Sequence, residues 1–233
     1  MSPTKDLSPL EKTLGFPFTD QNLLRQALVH RSYLNENPGF KLDHNERLEF
    51  LGDAVLELVV TDHLYHNYEQ PEGEMTNLRS AVVRGEMLSQ IAQELGLEDY
   101  LLLSRGERQD TGKARQYILA NAVEAVIGAL YLDQGYLAAK TLIDRHVVSK
   151  LEEVEEKGLH VDSKSRFQEL AQEKYRITPS YRVLEESGLD HEKMFIVGAY
   201  IGDTLFGEGR GSSKQEAQQQ AARAALAKFL KDT

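Results

Sequence analysis

The chain has 233 residues, of which 41% are hydrophobic and 27% charged, and its formal net charge at pH 7 is -10. It contains no cysteine, which excludes disulfides, thiolate metal sites and cysteine nucleophiles. No apolar stretch approaches the roughly 18 residues of a membrane span, and Met1–Leu7 lacks the apolar core of a signal peptide. Together these features predict a cytoplasmic protein with no membrane partner.

The acidity lies in the first part of the chain. Residues 163–233 hold 11 Lys and Arg against 10 Asp and Glu, so the chain totals of 27 and 37 leave 16 basic and 27 acidic residues before them. Such an acidic segment is a poor match for a nucleic acid, whose phosphates are bound by clustered Lys and Arg. Carboxylates that hold divalent cations reverse the local sign of the charge, so a nucleic-acid partner stays compatible with this composition.

The first part, to about Leu151, is predicted to be helical throughout. Helical spacing begins after Asp20, a candidate N-cap, and a long helix is expected from near Asn45 towards Tyr65. The apolar stripe of this long helix is Leu48, Leu51, Val55, Leu58, Val59 and Leu64. The further predicted helices are Thr76–Leu95, Tyr117–Leu132 and Tyr136–Val154.

The last part of the chain has a different order of elements. We predict a helix, three strands and a closing helix at Ser165–Tyr175, Tyr181–Glu185, Met194–Ile201, Thr204–Gly209 and Ser213–Leu230. The predicted fold is therefore an all-α domain at 1–156, a linker at 157–163, and a small α+β domain, α-β-β-β-α, at 164–233.

Three carboxylates share one face of the long predicted helix. Glu46, Glu49 and Asp53 are spaced three and then four apart. A solvated acidic face is the commoner explanation of such spacing. Here the acids are embedded among apolar residues, and Gly52 lies mid-helix although it costs about 1 kcal/mol relative to Ala. The setting therefore favours a ligand, or close approach of another backbone, at this face.

Glu124 is a lone carboxylate in the apolar helix Tyr117–Leu132. Carboxylates are almost never fully buried without a partner. One explanation is an ion pair with Arg31 or Arg47, and the other, which we favour, is a metal site shared with Glu49 and Asp53. Oxygen ligands suit Mg²⁺, which activates water and stabilises the leaving oxygen in phosphodiester cleavage.

The segment HNERLEFLGDAVLEL, residues 44–58, resembles the signature segment of bacterial ribonuclease III. The segments ALVHRSY, PEGEMTNLRSAVV and GKARQYILANAVEAVIGALYLDQG, together with the α-β-β-β-α tail, extend the resemblance over nearly the whole chain. The resemblance implies a homodimeric endoribonuclease that cleaves double-stranded RNA with Mg²⁺, or Mn²⁺ as a substitute. It also implies 5′-phosphate and 3′-hydroxyl ends with short 3′ overhangs, and a role in rRNA, mRNA and small-RNA processing.

The resemblance also implies roles for individual residues. Glu49 and Glu124 would contact the metal, and Asp53 would support catalysis by orienting ligands or water. Position 121, a further metal position of the family, is Asn121 here, where the common pattern has an acid. The amide keeps an oxygen acceptor but loses the charge. If this residue only orients water, the site works with weaker Mg²⁺ binding; if it must be charged, activity drops sharply.

Other acids and one aromatic match positions outside the metal site. Glu46 and Glu72 match acids associated with the RNA-facing surface and the subunit contact, and Phe50 matches an aromatic that inserts into the partner subunit.

The tail resembles a double-stranded RNA-binding domain, which reads the shape of the duplex through 2′-hydroxyl and phosphate contacts. The implied RNA-binding residues are Gln168, Gln172, His191, Ser212, Ser213 and Lys214. Each has an ordinary explanation too: glutamines are common on helix surfaces, a loop histidine is usually solvated, and GSSK could simply cap a helix. Because Gln215 and Gln218 stand where the family favours lysine, we expect weaker phosphate binding and a shallower salt dependence than for a member rich in basic residues here.

Two other functions are compatible with the sequence. The chain could bind double-stranded RNA without cutting it, because Asn121 replaces an acid that catalysis needs. A purely structural helical module would leave the carboxylate spacing and the tail unexplained.

Overall fold

The structure, a computed structural model, describes residues 5–159, 162–188 and 193–231. The chain divides into two compact units, Met1–His160 and Val161–Thr233. Within the described ranges, no helix combines the length and the apolar character needed to cross a membrane.

The first unit is built from helices, as predicted. They are α1 Ser8–Leu14, α2 Gln21–Ala27, α3 Arg31–Glu36, α4 Glu46–Asn67, α5 Glu72–Val83, α6 Gly85–Glu94, α7 Arg105–Gln109, α8 Lys113–Gln134, α9 Tyr136–His146 and α10 Leu151–Glu156, with 3-10 turns at Leu97–Tyr100 and Val148–Lys150. The side chain of Asp20 accepts a hydrogen bond from the Asn22 amide at 2.9 Å, which confirms it as the N-cap of α2.

Helix α8 is the centre of the first unit. It packs against α2, α4, α6 and α9, and nearly all of its residues from Ile118 to Leu130 are buried. A helix that is apolar on most sides is expected to lie inside a domain. The helix begins at Lys113, one turn earlier than the predicted start at Tyr117.

The prediction of one helix over Thr76–Leu95 is wrong. The chain breaks at Arg84, which takes an extended conformation with φ -63° and ψ 148°, and α5 and α6 lie on either side. The apolar positions Leu78, Val82 and Met87 continue across the break, and no proline marks it, so helical periodicity could not reveal it. Gly85, a weak helix former, directly follows the break as the first residue of α6, and α6 packs on α8.

The prediction of one helix over Tyr136–Val154 is also wrong. Helix α9 ends at His146, and the short 3-10 turn separates it from α10.

The second unit has the predicted order α-β-β-β-α. Its elements are α11 Ser163–Tyr175, β1 Ser180–Ser187, β2 Met194–Ile201, β3 Thr204–Gly211 and α12 Lys214–Lys231. The three strands form an antiparallel sheet in the order β1-β2-β3. One face of the sheet packs on both helices, with Phe167 from α11, Val197 and Ala199 from β2, and Ala221 and Phe229 from α12 at the core.

Candidate functional site

Helices α4 and α8 touch through their backbones. A Cβ on Gly52 would overlap the main-chain oxygen of Glu124 and would lie 2.9 Å from the amide nitrogen of Gly128. A Cβ on Gly128 would overlap the main-chain oxygen of Leu48. Only glycine leaves room for such an approach. The mid-helix glycine noted in the sequence therefore marks a close backbone contact, as predicted.

The start of α4 is fixed by the buried residue Asn45. Its side chain donates to the carbonyl oxygen of Ala27 at 3.2 Å, and its amide donates to that of Val29 at 2.9 Å. Its own carbonyl oxygen accepts from the amide of Glu49 at 2.9 Å. These bonds tie the first turn of α4, which carries two of the predicted site acids, to the chain that follows α2.

Asp53 and Glu49 lie close enough to Glu124 to affect the ionisation of its carboxyl group. Burial, with the negative charges of Asp53 and Glu49 as smaller contributions, raises the pKa of Glu124 to about 7. Glu124 is only partly exposed, whereas Asp53 lies at the surface. The structure therefore brings the acids of α4 and the single acid of α8 to one place, where they repel one another.

Asn121 is the fourth member of this group. Burial raises the pKa of Glu49, and the charges of Glu46 and Asp53 act in the same direction. The side-chain hydrogen bond that Asn121 donates to Glu49 opposes them and favours the ionised carboxylate. The amide at position 121 thus partly replaces the effect of a cation on Glu49.

Among the described residues Glu124 forms no ion pair with Arg31 or Arg47, the two partners considered from the sequence. Arg31 instead lies 3.3 Å from the carboxylate of Glu46, and both side chains are exposed. Within the described residues, no basic group lowers the pKa of Glu124. Glu46 therefore has a cationic partner, while Glu124 has acidic neighbours.

The donor chemistry of the group fits a hard cation. Glu49, Asn121 and Glu124 offer only oxygen ligands, and two of them carry carboxylates whose charges are disfavoured until a positive charge arrives. Among residues 5–159, 162–188 and 193–231, no three His, Asp or Glu side chains stand ready as a metal-binding group.

Glu72 lies apart from this group in the first turn of α5, where it is exposed. It contributes to neither of the raised pKa values, of Glu49 and of Glu124. Its predicted role is in any case outside the metal site.

Phe50 projects into solvent from α4 and is 80% exposed. Leu58, 57% exposed, and Tyr65, 74% exposed, continue an apolar stripe along the same helix. The sequence prediction that Leu58 belongs to the inward stripe of this helix is wrong. Helix α4 is apolar on two sides, so periodicity alone could not tell which leucine faces the core.

The predicted RNA-binding residues of α11 are at the surface. Gln168 and Gln172 are both exposed and lie one turn apart, and the Gln172 amide donates to the hydroxyl of Thr178 at 3.1 Å. His191 lies outside the described residues.

Ser212 and Ser213 make the capping contacts that GSSK allows. The hydroxyl of Ser213 accepts from the Glu216 amide at 3.2 Å, and the Glu216 carboxylate accepts from the amide and hydroxyl of Ser212 at 2.8 and 2.7 Å. This is a variant of the capping box, in which the carboxylate bonds to the residue before the N-cap instead of to the N-cap itself. The ammonium group of Lys214 lies 3.9 Å from the carboxylate of Glu186 and 5.5 Å from the ring of Phe195.

Comparison with known proteins agrees with both units. Residues 20–151 match the family described as ribonuclease-III-like, and residues 163–229 match the double-stranded RNA binding motif. Ribonuclease 3 of Dehalococcoides mccartyi is 44% identical over 225 residues, which is 96% of this chain and 95% of that protein. Ribonuclease 3 of Carboxydothermus hydrogenoformans is 45% identical over 223 residues, covering 95% of each.

A solved structure of the nuclease domain of ribonuclease III from Campylobacter jejuni superposes with a TM-score of 0.56 at 41% identity, covering 62% of this chain and 97% of that one. The agreement in sequence, in domain order and in fold shows that the chain belongs to the ribonuclease III family of endoribonucleases.

Proposed function

We propose that the chain cleaves double-stranded RNA by Mg²⁺-dependent hydrolysis of phosphodiester bonds. The observation that carries this proposal is the meeting of Glu49, Asp53, Asn121 and Glu124 where α4 and α8 touch. Three mutually repelling carboxylates and one amide oxygen are a donor set for a hard cation.

Glu49, Asn121 and Glu124 would hold the cation, and Mn²⁺ would substitute for Mg²⁺. When bound, Mg²⁺ supplies positive charge that stabilises the oxygens of the phosphodiester. Glu49 and Glu124 would bind the cation as carboxylates. Because the pKa of each is raised, a protonated carboxyl group must lose its proton when the cation binds. Asp53, exposed beside them, is the catalytic support that orients ligands and water.

The second unit would capture the duplex, with residues 157–163 as the linker between an endonuclease domain at 1–156 and an RNA-binding domain at 164–233. The matching ranges 20–151 and 163–229 support this division. Gln168, Gln172, His191, Ser212, Ser213 and Lys214 remain the predicted contacts, with Glu46 and Glu72 facing RNA or the partner subunit in the first unit.

The active form would be a homodimer joined through the exposed side of α4. Phe50, Leu58 and Tyr65 give this helix a row of large apolar side chains in solvent, which monomers rarely leave uncovered. The structural work on the Campylobacter jejuni nuclease domain concerns a region involved in its dimer formation.

The remaining features of the proposal follow the resemblance alone. The products would have 5′-phosphates, 3′-hydroxyls and short 3′ overhangs, and the substrates would include rRNA, mRNA and small-RNA precursors in the cytoplasm.

Incubation of an end-labelled RNA duplex with the protein and Mg²⁺ tests the proposal. We expect duplex cleavage with 5′-phosphate ends, and we expect Glu124→Gln and Asp53→Asn to abolish it while duplex binding stays within a few-fold. Asp99→Asn, at an exposed acid of the 3-10 turn Leu97–Tyr100, is the matched control and should cut normally.

The neutral side chain of Asn121 favours a second candidate, a duplex-binding protein that does not cut. In that case the wild-type chain would bind the duplex and leave it intact, and Asn121→Asp would establish cleavage. Cleavage by the wild-type chain would eliminate this alternative.

A further inference from the structure

Lys164 lies where two predicted RNA-contacting surfaces of the second unit meet. It is four residues before Gln168 on α11, which places it on the same face as Gln168 and Gln172. Lys214 and Gln218 are likewise four apart on α12. The side chain of Lys164 extends from the first of these faces to the second.

The contact that joins the faces is a hydrogen bond from the Lys164 ammonium group to the side-chain oxygen of Gln218, at 2.8 Å. The same ammonium group lies 5.0 Å from the centroid of the Tyr181 ring. Both partners are uncharged, so neither neutralises the lysine. The half-buried side chain is thus held in one place with its charge intact.

Two arginines of this unit differ in this respect, whereas the ammonium group of Lys228 also has uncharged partners, the carbonyl oxygen of Leu205 at 3.3 Å and the ring of Phe206 at 5.5 Å. Arg166 lies 3.1 Å from the carboxylate of Glu169, and Arg182 lies 3.2 Å from that of Asp203. Asp162, the acid at the start of α11, accepts from the hydroxyl of Ser165 at 2.7 Å and caps the helix through backbone amides. Its carboxylate is therefore engaged by neighbours other than the Lys164 ammonium group.

We propose that Lys164 is a phosphate-binding residue of the duplex-binding surface, and that Gln218 and Tyr181 hold its ammonium group in position. The inference rests on the proposed binding of duplex RNA by this unit. Duplex recognition of this kind combines groove contacts with phosphate contacts on either side. A positive charge at the junction of α11 and α12 lies between the surface predicted to contact the groove and the surface predicted to contact phosphates. A side chain that is already held in place also loses less conformational entropy on binding.

The proposal also gives position 218 a role as glutamine. The side-chain oxygen of Gln218 accepts a hydrogen bond from the ammonium group of Lys164 on α11. A lysine at position 218 would instead place two ammonium groups next to each other. The charge expected at this place on α12 is therefore present, but it comes from the other helix.

Salt titrations of duplex binding by the full chain, without divalent metal, test the proposal. Each lost phosphate contact should reduce the slope of log K against log salt by about 0.9. For Lys164→Gln we expect the slope to fall by this amount for each subunit that binds the duplex, and binding at low salt to weaken several-fold. Lys164→Arg should keep the wild-type slope. The matched control is Lys228→Gln, on α12 but 14 residues beyond Lys214, which should leave the slope unchanged.

Moving the positive charge from position 164 to position 218 provides the reciprocal test. Gln218→Lys should add less than one contact in the wild-type chain, because the new ammonium group repels Lys164. In the Lys164→Gln background the same change should restore the slope. This outcome depends on charge at one place and would not follow from a merely structural role of Lys164.

The outcomes separate this inference from the proposed function. If the wild-type chain shows no salt-dependent duplex binding, both are overturned. If the wild-type chain binds and cuts duplex but Lys164→Gln has the same slope as wild type and Lys228→Gln, only the role of Lys164 is overturned. Unfolding curves for each variant confirm that the comparison is made between folded proteins.

Discussion

Gly52 on α4 faces the main-chain oxygen of Glu124 on α8 so closely that any side chain at position 52 would overlap it. The carbonyl and the carboxylate belong to the same residue, and Gly52 lies directly before Asp53. The contact of the two backbones therefore determines how far the carboxylate of Glu124 lies from the acids of α4.

We expect Gly52→Ala to separate the two helices and to disrupt the group of acids. Overpacking of a core typically costs about 1–3 kcal/mol, and here the obstacle is backbone, which yields less than a side chain. Cleavage should fall by at least about tenfold, and the Mg²⁺ concentration for half-maximal activity should rise. Thermal unfolding and a Mg²⁺ titration of activity measure the two effects.

Gly73→Ala is the control for this substitution. A Cβ on Gly73 meets nothing within 4 Å, and the residue lies in the first turn of α5. Alanine should stabilise that exposed helical position by about 0.5–1 kcal/mol and leave cleavage unchanged. Wild-type activity in Gly52→Ala would show that the backbone contact does not position the acids.

The raised pKa of Glu124 predicts a pH dependence of stability in the metal-free protein. Since the folded state binds the proton more tightly than the unfolded chain, the stabilisation by the protonated form is complete below the ordinary pKa of 4.5 and is lost as pH rises through about 7. Glu124→Gln should therefore raise the unfolding midpoint at pH 8 and have little effect near pH 4.5. After allowance for solvent screening we expect about 1 kcal/mol, or roughly 2–4 °C.

Differential scanning calorimetry in EDTA at the two pH values measures this difference. Added Mg²⁺ should then stabilise the wild-type protein at pH 8 and stabilise Glu124→Gln far less. Equal midpoints for the two proteins at pH 8 would mean that the carboxylate of Glu124 is not disfavoured in the folded state.

Asn121→Asp should strengthen Mg²⁺ binding. The added carboxylate increases the negative charge around Glu49 and removes the hydrogen bond that Asn121 donates to it. Both changes make the metal-free site less favourable, and the added carboxylate also makes the metal-bound site more favourable. We expect the half-maximal Mg²⁺ concentration to fall by up to about tenfold, equivalent to roughly 1.4 kcal/mol.

Titration of cleavage with Mg²⁺ checks this prediction, with binding of Mn²⁺ measured by electron paramagnetic resonance as a readout independent of activity. An unchanged metal affinity in both measurements would show that position 121 does not contribute to the cation site.

Phe50→Asp should shift the protein towards monomer. The phenyl ring is the most exposed large apolar side chain of α4, and a charge there would oppose burial against another subunit. Sedimentation velocity over a range of concentrations measures the effect. Leu137→Asp, at a residue of α9 that is 76% exposed, is the matched control and should leave the oligomeric state unchanged. If both variants sediment as the wild type does, α4 is not the subunit contact.

The sequence predicted the parts of this molecule that depend on local pattern. The acids of α4 repeat at helical spacing, and α8 is apolar on most sides. Each of these features is contained within a few neighbouring residues, so a single sequence is enough to reveal it.

The features that the sequence did not reveal join distant residues. The break at Arg84 leaves α6 packed on α8, and Leu58 is exposed because the opposite side of α4 packs on the same helix. The hydrogen bond between Asn121 and Glu49 and the one between Lys164 and Gln218 span 72 and 54 residues. No periodicity connects such pairs.

The capping box at the start of α12 has a consequence for the arrival of RNA. The carboxylate of Glu216 already occupies the positive end of the helix and engages both the amide and the hydroxyl of Ser212. A phosphate that approaches the amide and hydroxyl of Ser212 finds both donors already hydrogen-bonded to the Glu216 carboxylate. Capture of a phosphate at this helix end is thus an exchange of one anion for another, in which Glu216 must withdraw and the first turn of α12 gives up one of its own bonds.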